Sequence, residues 1–294
     1  MWINHKLEYL KTLSSSEKIL AEYILNNGED ILSMSSHQLA SATYTSPATV
    51  IRFCKKLGFK GYSDFKFKYS VELKSSSMQN ENIDFNLPFK KGDSIKDISY
   101  NLGNLYKESI EDTLKSLNFN TLNSAVDLLL NSKIIKIFGV GSNSPYAVDF
   151  QYKMMRIGYL VQMAPLPTEQ HIFALNSSED TCAILISYSG ETQDIIDIAH
   201  ILKNNNTPIV AITSCGDNRL SKYAQYKIHV CSRENIVSKI STFSSGISIQ
   251  FVLDIIFSCV FEKNYNNNLA HKVNHAKQVE AHTKLLKEDI IKNY

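Results

Sequence analysis

The chain has 294 residues, of which 44% are hydrophobic and 20% charged, and its formal net charge is +2. This length is sufficient for two hydrophobic cores, and the composition is ordinary for a soluble globular protein. The chain lacks an apolar run of about 18 residues and residues 1–20 lack a signal-peptide pattern, so we expect a cytoplasmic protein with no membrane partner.

Residues 36–57 have the pattern of two short helices joined by a tight turn. Ser46 offers a side-chain oxygen that caps the second helix, and Pro47 takes its first position, where a missing N–H costs nothing. The buried stripe of this helix, at i, i+3, i+4 and i+7, is Val50, Phe53, Cys54 and Leu57. The opposite face carries Thr49, Arg52, Lys55 and Lys56. Such a face suits the major groove of DNA, with the first two side chains at base edges and the lysines at phosphates.

Positive charge is concentrated in this first region. Residues 1–74 contain ten lysines and arginines against seven acidic residues, while the remainder of the chain is close to neutral. Seven basic residues lie between Arg52 and Lys74, opposed only by Asp64 and Glu72. This distribution is expected if only the first domain meets nucleic acid, although a solvated basic helix face has the same composition.

Residues 14–73 resemble the N-terminal domain of RpiR-type regulators. The resemblance includes Ser16-Glu17-Lys18 and Leu39-Ala40, and its most specific part is the run from Thr49 to Lys66. It implies a helix-turn-helix that binds double-stranded operator DNA. The residues that we assign to DNA contact are Thr45, Ser46, Thr49, Arg52, Lys55, Lys56 and Lys60. Tyr44 is a departure, because many helix-turn-helix motifs have glycine at this turn position, and tyrosine must accept an unusual backbone angle or alter the turn.

The organisation along the chain follows from composition and periodicity. Residues 1–74 form the all-α first domain, and the polar segment 75–93 is a linker. An amphipathic connecting helix follows within 94–120. The second domain spans 121–263, with Thr121 as the expected N-cap of its first helix, and 264–294 is a polar helical extension.

Short apolar runs alternate with helical patterns in the second domain. Each run has about four or five residues rich in isoleucine and valine, which in this rhythm predicts a parallel sheet with helices on both faces. The five runs are Ile134–Phe138, Tyr159–Met163, Cys182–Ile186, Ile209–Ile212 and Lys227–Val230.

Two loops after these strands are candidate phosphate sites. The first, Gly139–Ser144, is a glycine-rich turn before a helix, where free N–H groups and the helix dipole favour anions. It lacks the third glycine of a dinucleotide fingerprint and the lysine of a nucleotide P-loop. The second, Ser187–Thr192, brings three hydroxyls to one helix N-terminus, with Gly190 permitting close approach of the backbone. Serine and threonine acting only as helix caps explain one of these hydroxyls but not all three.

The Ser-x-Ser-Gly-x-Thr loop, together with the earlier Gly-x-Gly-Ser loop, looks like the SIS (sugar isomerase) domain. The resemblance runs from about residue 121 to 262 and implies a flavodoxin-like five-stranded parallel sheet, dimerisation and sugar-phosphate binding. The phosphosugar-binding residues that we assign are Ser142, Asn143, Ser187, Ser189, Thr192, His171 and Glu234.

Catalysis is the main alternative, because SIS domains also occur in sugar-phosphate isomerases, which need a base beside the reacting carbons. Only His171 and Glu234 are suggestive, and either residue is more often a packing or surface residue or a contact to sugar hydroxyls. We therefore predict that the chain has no catalytic residues and is not an enzyme. A domain that dimerises and binds DNA without sensing sugar is a further alternative, and a nucleotide-binding protein is the least favoured.

No cofactor or metal is expected. The five cysteines form no Cys-x-x-Cys pair, so neither a zinc site nor a disulfide framework is indicated. The sequence thus predicts a transcription regulator of sugar or amino-sugar metabolism that assembles as a homodimer or homotetramer through the second domain. Its operator binding is expected to respond to a sugar-phosphate effector.

Overall fold

The computed structural model describes Leu7 and residues 13–77, 83–216 and 218–292. Parts of the predicted first domain, linker and C-terminal extension, including residues 78–82 and 293–294, lie outside the described residues. The chain divides into two compact units, Met1–Ser109 with Cys231–Ser245, and Ile110–Val230 with Gly246–Tyr294.

From residue 13 onward, the described part of the first unit begins with four helices. They are α1 (Ser15–Asn27), α2 (Ser36–Ala42), α3 (Pro47–Lys56) and α4 (Tyr62–Ser77), with a 3-10 turn at Gly28–Leu32. Capping boxes start α1 at Ser14 and α2 at Ser35, because each serine accepts a backbone N–H and the residue three positions on bonds back to it. These caps satisfy donors that a helix start leaves unpaired.

The core of these helices combines aliphatic side chains with a group of aromatic rings. Phe59 packs edge-on against Phe65, and Phe65 stacks on Tyr69 with ring centroids 5.4 Å apart. Phe53 and Leu57 from α3 and its C-terminal cap are also fully buried in this cluster. The predicted apolar stripe of α3 therefore faces the core, as the spacing of its residues indicated.

The second unit contains a five-stranded parallel sheet in the order β2-β1-β3-β4-β5. The strands are β1 (Ile134–Gly139), β2 (Val161–Gln162), β3 (Thr181–Ile186), β4 (Ile209–Ser214) and β5 (Tyr226–Val230). Each overlaps one of the five predicted apolar runs. The parallel sheet expected from the βαβ rhythm is confirmed.

Helices cover both faces of the sheet. The helix α5 (Ile95–Ser116) begins in the first unit. The helices of the second unit are α6 (Phe119–Asn131), α7 (Ser144–Met155), α8 (Gln170–Leu175), α9 (Gln193–Asn204), most of α10 (Phe243–Lys263), and α11 (Tyr265–Lys292). Alternate residues of β3 point to opposite sides, so that Ile184 joins the cluster of α6, α7 and α10, whereas Leu185 joins the cluster of α8 and α9.

One detail of the prediction is wrong. Thr121 does not cap α6, because the helix begins two residues earlier and Asn118 is the N-cap, its side chain accepting from the Thr121 N–H. Asparagine and threonine are both good caps, and the structure places the first turn so that Phe119 is included.

The helix α10 is long and apolar enough, by length and composition, to cross a membrane. Half of its apolar window is buried in the structure, with Ile249, Val252 and Ile256 packed in the core against the sheet. A core helix passes the same test, so this feature is weak evidence for a membrane segment.

Candidate DNA-binding and phosphosugar sites

The start of α3 is built as the sequence predicts. Ser46 is the N-cap and accepts from the Thr49 N–H at 3.1 Å, and Pro47 is in the first turn. The Ser46 and Thr49 hydroxyls also lie 2.9 Å from each other. This contact orders both hydroxyls at the end of the helix that is expected to meet base edges.

The basic residues of α3 differ in what they contact. Arg52 and Lys55 are exposed. Lys56 instead donates to Glu17 of α1 at 2.8 Å, and Glu17 is buried. The hydrogen bond from Lys56, with a further one from the Ser14 N–H, lowers the pKa of Glu17. Lys56 therefore ties α1 to α3, and its ammonium group has further N–H donors for the predicted phosphate contact.

Two further predicted contacts lie at the ends of α3. Lys60 is exposed after the helix, and its backbone N–H donates to Asp64 at 2.8 Å. Thr45 is half-buried before the helix, with its hydroxyl 3.0 Å from that of Thr43. The preceding residue, Tyr44, has φ +52°, so the unusual backbone angle expected for this turn is present.

Five of the seven phosphosugar candidates lie in the loops at the carboxyl ends of β1 and β3. These strands are adjacent, and Gly139 pairs with Ile186 where both strands end. The chain leaves β1 toward β2 on one side, while β3 lies on the other side, so this is the switch point of the sheet. In open α/β sheets ligands bind in the crevice at such a point.

Three hydroxyls meet after β3. The Ser187 and Thr192 oxygens are 2.9 Å apart, and the Ser189 oxygen lies 3.5 Å from each of them. Thr192 is the N-cap of α9 and makes no side-chain capping bond, so first-turn N–H groups of this helix are not capped by it. The arrangement provides hydroxyl and amide donors for an anion at a single point.

Gly190 brings the backbone of this loop against Asn218. Its φ is +64°, and a Cβ at this position would lie 2.1 Å from the Asn218 Cγ. Asn218 is buried and held in place, because it donates to the Thr213 hydroxyl at 3.1 Å and accepts from the Ser221 N–H at 2.9 Å. Only glycine fits here.

The charge beside the three hydroxyls is balanced. Arg219 pairs with Glu191 at 2.8 Å and also donates its backbone N–H to the same carboxylate at 2.9 Å. The Arg219 guanidinium is thereby paired with Glu191, which belongs to the loop of the three hydroxyls. An anion placed here would meet hydroxyl and backbone donors rather than an uncommitted positive charge of Arg219.

The first loop contributes Ser142 and Asn143. Both lie in the 3-10 turn Gly141–Asn143, Ser142 exposed and Asn143 half-buried, and α7 begins directly after them. Gly141 has φ +58°, and nothing lies within 4 Å of a Cβ built there. The Ser144 hydroxyl donates to the Gly139 carbonyl at 3.0 Å and holds the turn against the end of β1.

The sequence reasoning missed Gln170, which contacts the end of β1 at the same crevice. Gln170, at the start of α8, is buried and donates its amide to the Gly139 carbonyl at 3.2 Å. Its Oε1 is buried without a hydrogen-bond partner among the described residues. His171, a predicted sugar contact, is the next residue of α8 and is half-buried.

Lys136, in the middle of β1, positions α8. It is buried, and it donates to the carbonyls of Phe173 and Asn176, at 3.0 and 2.6 Å, and to the Ser177 hydroxyl at 3.1 Å. Burial lowers the pKa of its ammonium group. The positive charge sits at the carboxyl end of the helix, where the dipole favours it. A lysine within an isoleucine-rich run was the available signal.

Glu234, the last predicted sugar contact, belongs to the first unit. Its side chain is fully buried and pairs with Lys239 at 2.7 Å. It also accepts from the Ser244 N–H at 2.9 Å and from the Ser245 hydroxyl. The carboxylate therefore caps the start of α10, which accounts for its burial.

Comparison with known proteins follows the two-part organisation. A family model described as a helix-turn-helix domain of the rpiR family matches residues 3–76, and a SIS domain model matches residues 128–257. An HTH-type transcriptional regulator of Clostridium perfringens is 30% identical over 263 residues, which covers 88% of this chain and 92% of the relative.

Two further proteins are similar. The HTH-type transcriptional regulator HexR of Escherichia coli K12 is 28% identical over 208 residues, or 70% of each chain. The structure of Vibrio vulnificus NanR complexed with ManNAc-6P superimposes with a TM-score of 0.61 at 24% identity, covering 95% of this chain and 98% of that one. Because the identity is below 25%, this structural similarity to NanR supports only the fold of the chain.

Proposed function

Because the chain belongs to the rpiR family of HTH-type transcriptional regulators with a SIS domain, we propose that it is a DNA-binding regulator whose operator affinity changes when a sugar phosphate binds. The effector occupies the switch-point crevice of the second unit. The observation that carries this assignment is the meeting of the Ser187, Ser189 and Thr192 hydroxyls at the start of α9.

The phosphate group of the effector lies at these three hydroxyls and the first N–H groups of α9. Ser142 and Asn143 close over it from the neighbouring loop, and His171 faces the sugar together with Gln170. The buried Gln170 Oε1 supports this placement, because an unpaired buried acceptor is costly until a donor such as a sugar hydroxyl reaches it. NanR is complexed with ManNAc-6P, which favours sugar or amino-sugar metabolism as the regulated pathway.

An isomerase activity is the alternative that we reject. Glu234 is bound to Lys239, Ser244 and Ser245 within its own unit, so its carboxylate is occupied by structural contacts. That leaves His171 as the one base candidate of the two, and isomerisation also requires that it be placed against the reacting carbons. We propose a regulator rather than an isomerase because the relatives are named HTH-type transcriptional regulators. Glu234 stays a predicted sugar contact, and Glu234→Ala tests it.

The two activities are coupled through assembly. Pairing of SIS domains in a homodimer, or twice in a homotetramer, sets two helix-turn-helix heads at a fixed separation, so the operator is a palindrome with half-sites a helical turn or a multiple apart. Effector binding changes that separation. Ligand and operator then alter each other's affinity reciprocally, typically by about 1–3 kcal/mol.

Ser189→Ala is expected to remove effector binding without unfolding the protein. A thermal-shift screen of pentose, hexose, amino-sugar and N-acetylmuramic phosphates tests this. An effector present at about 100 times its Kd adds about 2.7 kcal/mol of stability to the native chain, and the variant loses that increment. If no sugar phosphate raises the melting temperature of the native chain, the second domain acts only in assembly and the proposal is wrong in that part.

Arg52→Ala is expected to weaken operator binding by about 1–3 kcal/mol while leaving effector binding unchanged. Arg52 is exposed on α3, outside its buried stripe, so we expect the variant to keep the native fold. The operator is first selected from genomic DNA fragments by binding to the native chain. An electrophoretic mobility shift assay with this operator then measures the loss of DNA affinity in the variant. Concurrent loss of effector binding would indicate misfolding and would remove the support for a base contact.

A further inference from the structure

Tyr44 lies in a backbone conformation that tyrosine disfavours. Its φ of +52° is in the left-handed region, where the Cβ of an L-residue meets its own backbone. The other described non-glycine residue with a positive φ is Asn206, at +54°, and asparagine tolerates this region because of its short polar side chain. A glycine at position 44 would form the same turn without strain.

The Tyr44 side chain contributes nothing visible to the fold in return. It is 97% exposed, more than any other large hydrophobic side chain that the structure describes. Its backbone N–H donates to Ser41, but no hydrogen bond or ring contact of the phenol is present within the described part of the chain. Strain that the fold does not need is typical of functional positions.

The position of Tyr44 indicates what that function is. It stands between α2 and α3, directly before Thr45 and the N-cap Ser46. In a helix-turn-helix the start of the second helix meets base edges while the first helix crosses the DNA backbone, so the turn between them is near phosphates. Tyrosine hydroxyls are among the groups that donate to phosphate oxygens.

We propose that Tyr44 is a DNA-contact residue whose phenol hydroxyl donates a hydrogen bond to a backbone phosphate beside α3. This inference rests on the proposed DNA binding. It adds Tyr44, which lies in the turn before α3, to the DNA-contact residues predicted from the sequence. Because a phosphate contact is independent of sequence, it acts on any duplex and positions the head rather than selecting bases.

The test uses the full chain and a fluorescent pool of random-sequence duplex DNA, titrated at several salt concentrations. Tyr44→Phe and Tyr44→Gly are both expected to weaken binding about tenfold, the loss expected for one hydrogen bond to a charged group. The dependence on salt stays unchanged, because a neutral phenol displaces no counterion, whereas Lys55→Ala lowers the slope by about 0.9.

Two controls separate this contact from general effects. Phe67, on α4 of the same unit, is an aromatic residue that is 69% exposed, and Phe67→Ala is expected to bind DNA like the native chain. The melting temperature of Tyr44→Gly is expected to equal or exceed that of the native chain, because the strain is relieved.

Native binding by both Tyr44 variants overturns the proposal, and so does a lower melting temperature of Tyr44→Gly, which would give the ring a role in folding. Loss in Tyr44→Gly but not in Tyr44→Phe overturns the assignment to the hydroxyl. Failure of the native chain to bind any duplex would instead refute the proposed function itself.

Discussion

Gly190→Ala is expected to abolish sugar-phosphate binding and to destabilise the second unit. The new Cβ would lie 2.1 Å from the Asn218 Cγ, and Asn218 cannot yield without losing its hydrogen bonds to Thr213 and Ser221. Left-handed strain and overpacking together are expected to cost about 2–5 kcal/mol. The loop must move, and the three hydroxyls move with it.

The chain offers a matched control for this substitution. Gly141 has a similar φ, +58°, but nothing lies within 4 Å of a Cβ built there. Gly141→Ala therefore carries the left-handed strain without the collision. Urea denaturation compares the stability of the two variants. Isothermal titration with the sugar phosphate found by the screen compares Gly190→Ala with the native chain, because Gly141 itself lies in the first candidate phosphate loop. Equal stability of the two variants, with native affinity in Gly190→Ala, would mean that contact with Asn218 does not shape the candidate phosphate site.

Glu234→Ala is expected to lower the free energy of unfolding by about 3–5 kcal/mol, the cost of leaving one member of a buried ion pair without its partner. Lys239, whose side chain is 13% exposed, would keep a charge with no carboxylate. The N–H of Ser244 at the start of α10 would also lose its acceptor. Urea denaturation of the full chain measures the change.

A double variant distinguishes the structural role from a ligand contact. Glu234→Gln combined with Lys239→Met removes both charges at nearly constant volume, and it is expected to recover most of the lost stability. If Glu234→Ala kept its urea midpoint but lost sugar-phosphate affinity, Glu234 would be the sugar contact that its sequence position suggests and our structural account of it would fail.

Local chemistry was sufficient to predict much of the DNA-binding head. The Ser46 cap, the Pro47 start and the i, i+3, i+4, i+7 stripe depend on residues within one or two helical turns, and each is present in the structure. The role of Lys56 was not predictable in this way. Its partner Glu17 is 39 residues away in the chain, and their contact exists only after α1 packs on α3.

The sheet likewise combines a feature that the sequence predicts with one that it does not. Five apolar runs separated by helical patterns predicted a parallel sheet, because a strand buried on both faces is apolar at nearly every position. The order β2-β1-β3-β4-β5, and with it the switch point, depends on which strands pair.

The sequence by itself therefore determined the alternation of strands and helices, the capped start of α3 and the three hydroxyls of the candidate phosphate loop, because these depend on neighbours within a few residues. Only the tertiary structure decided that Asn218 backs Gly190, that Lys136 holds α8 and that Glu234 caps α10. Each of these contacts joins separate elements, and no periodicity or local propensity encodes which distant polar groups will satisfy one another once water is excluded.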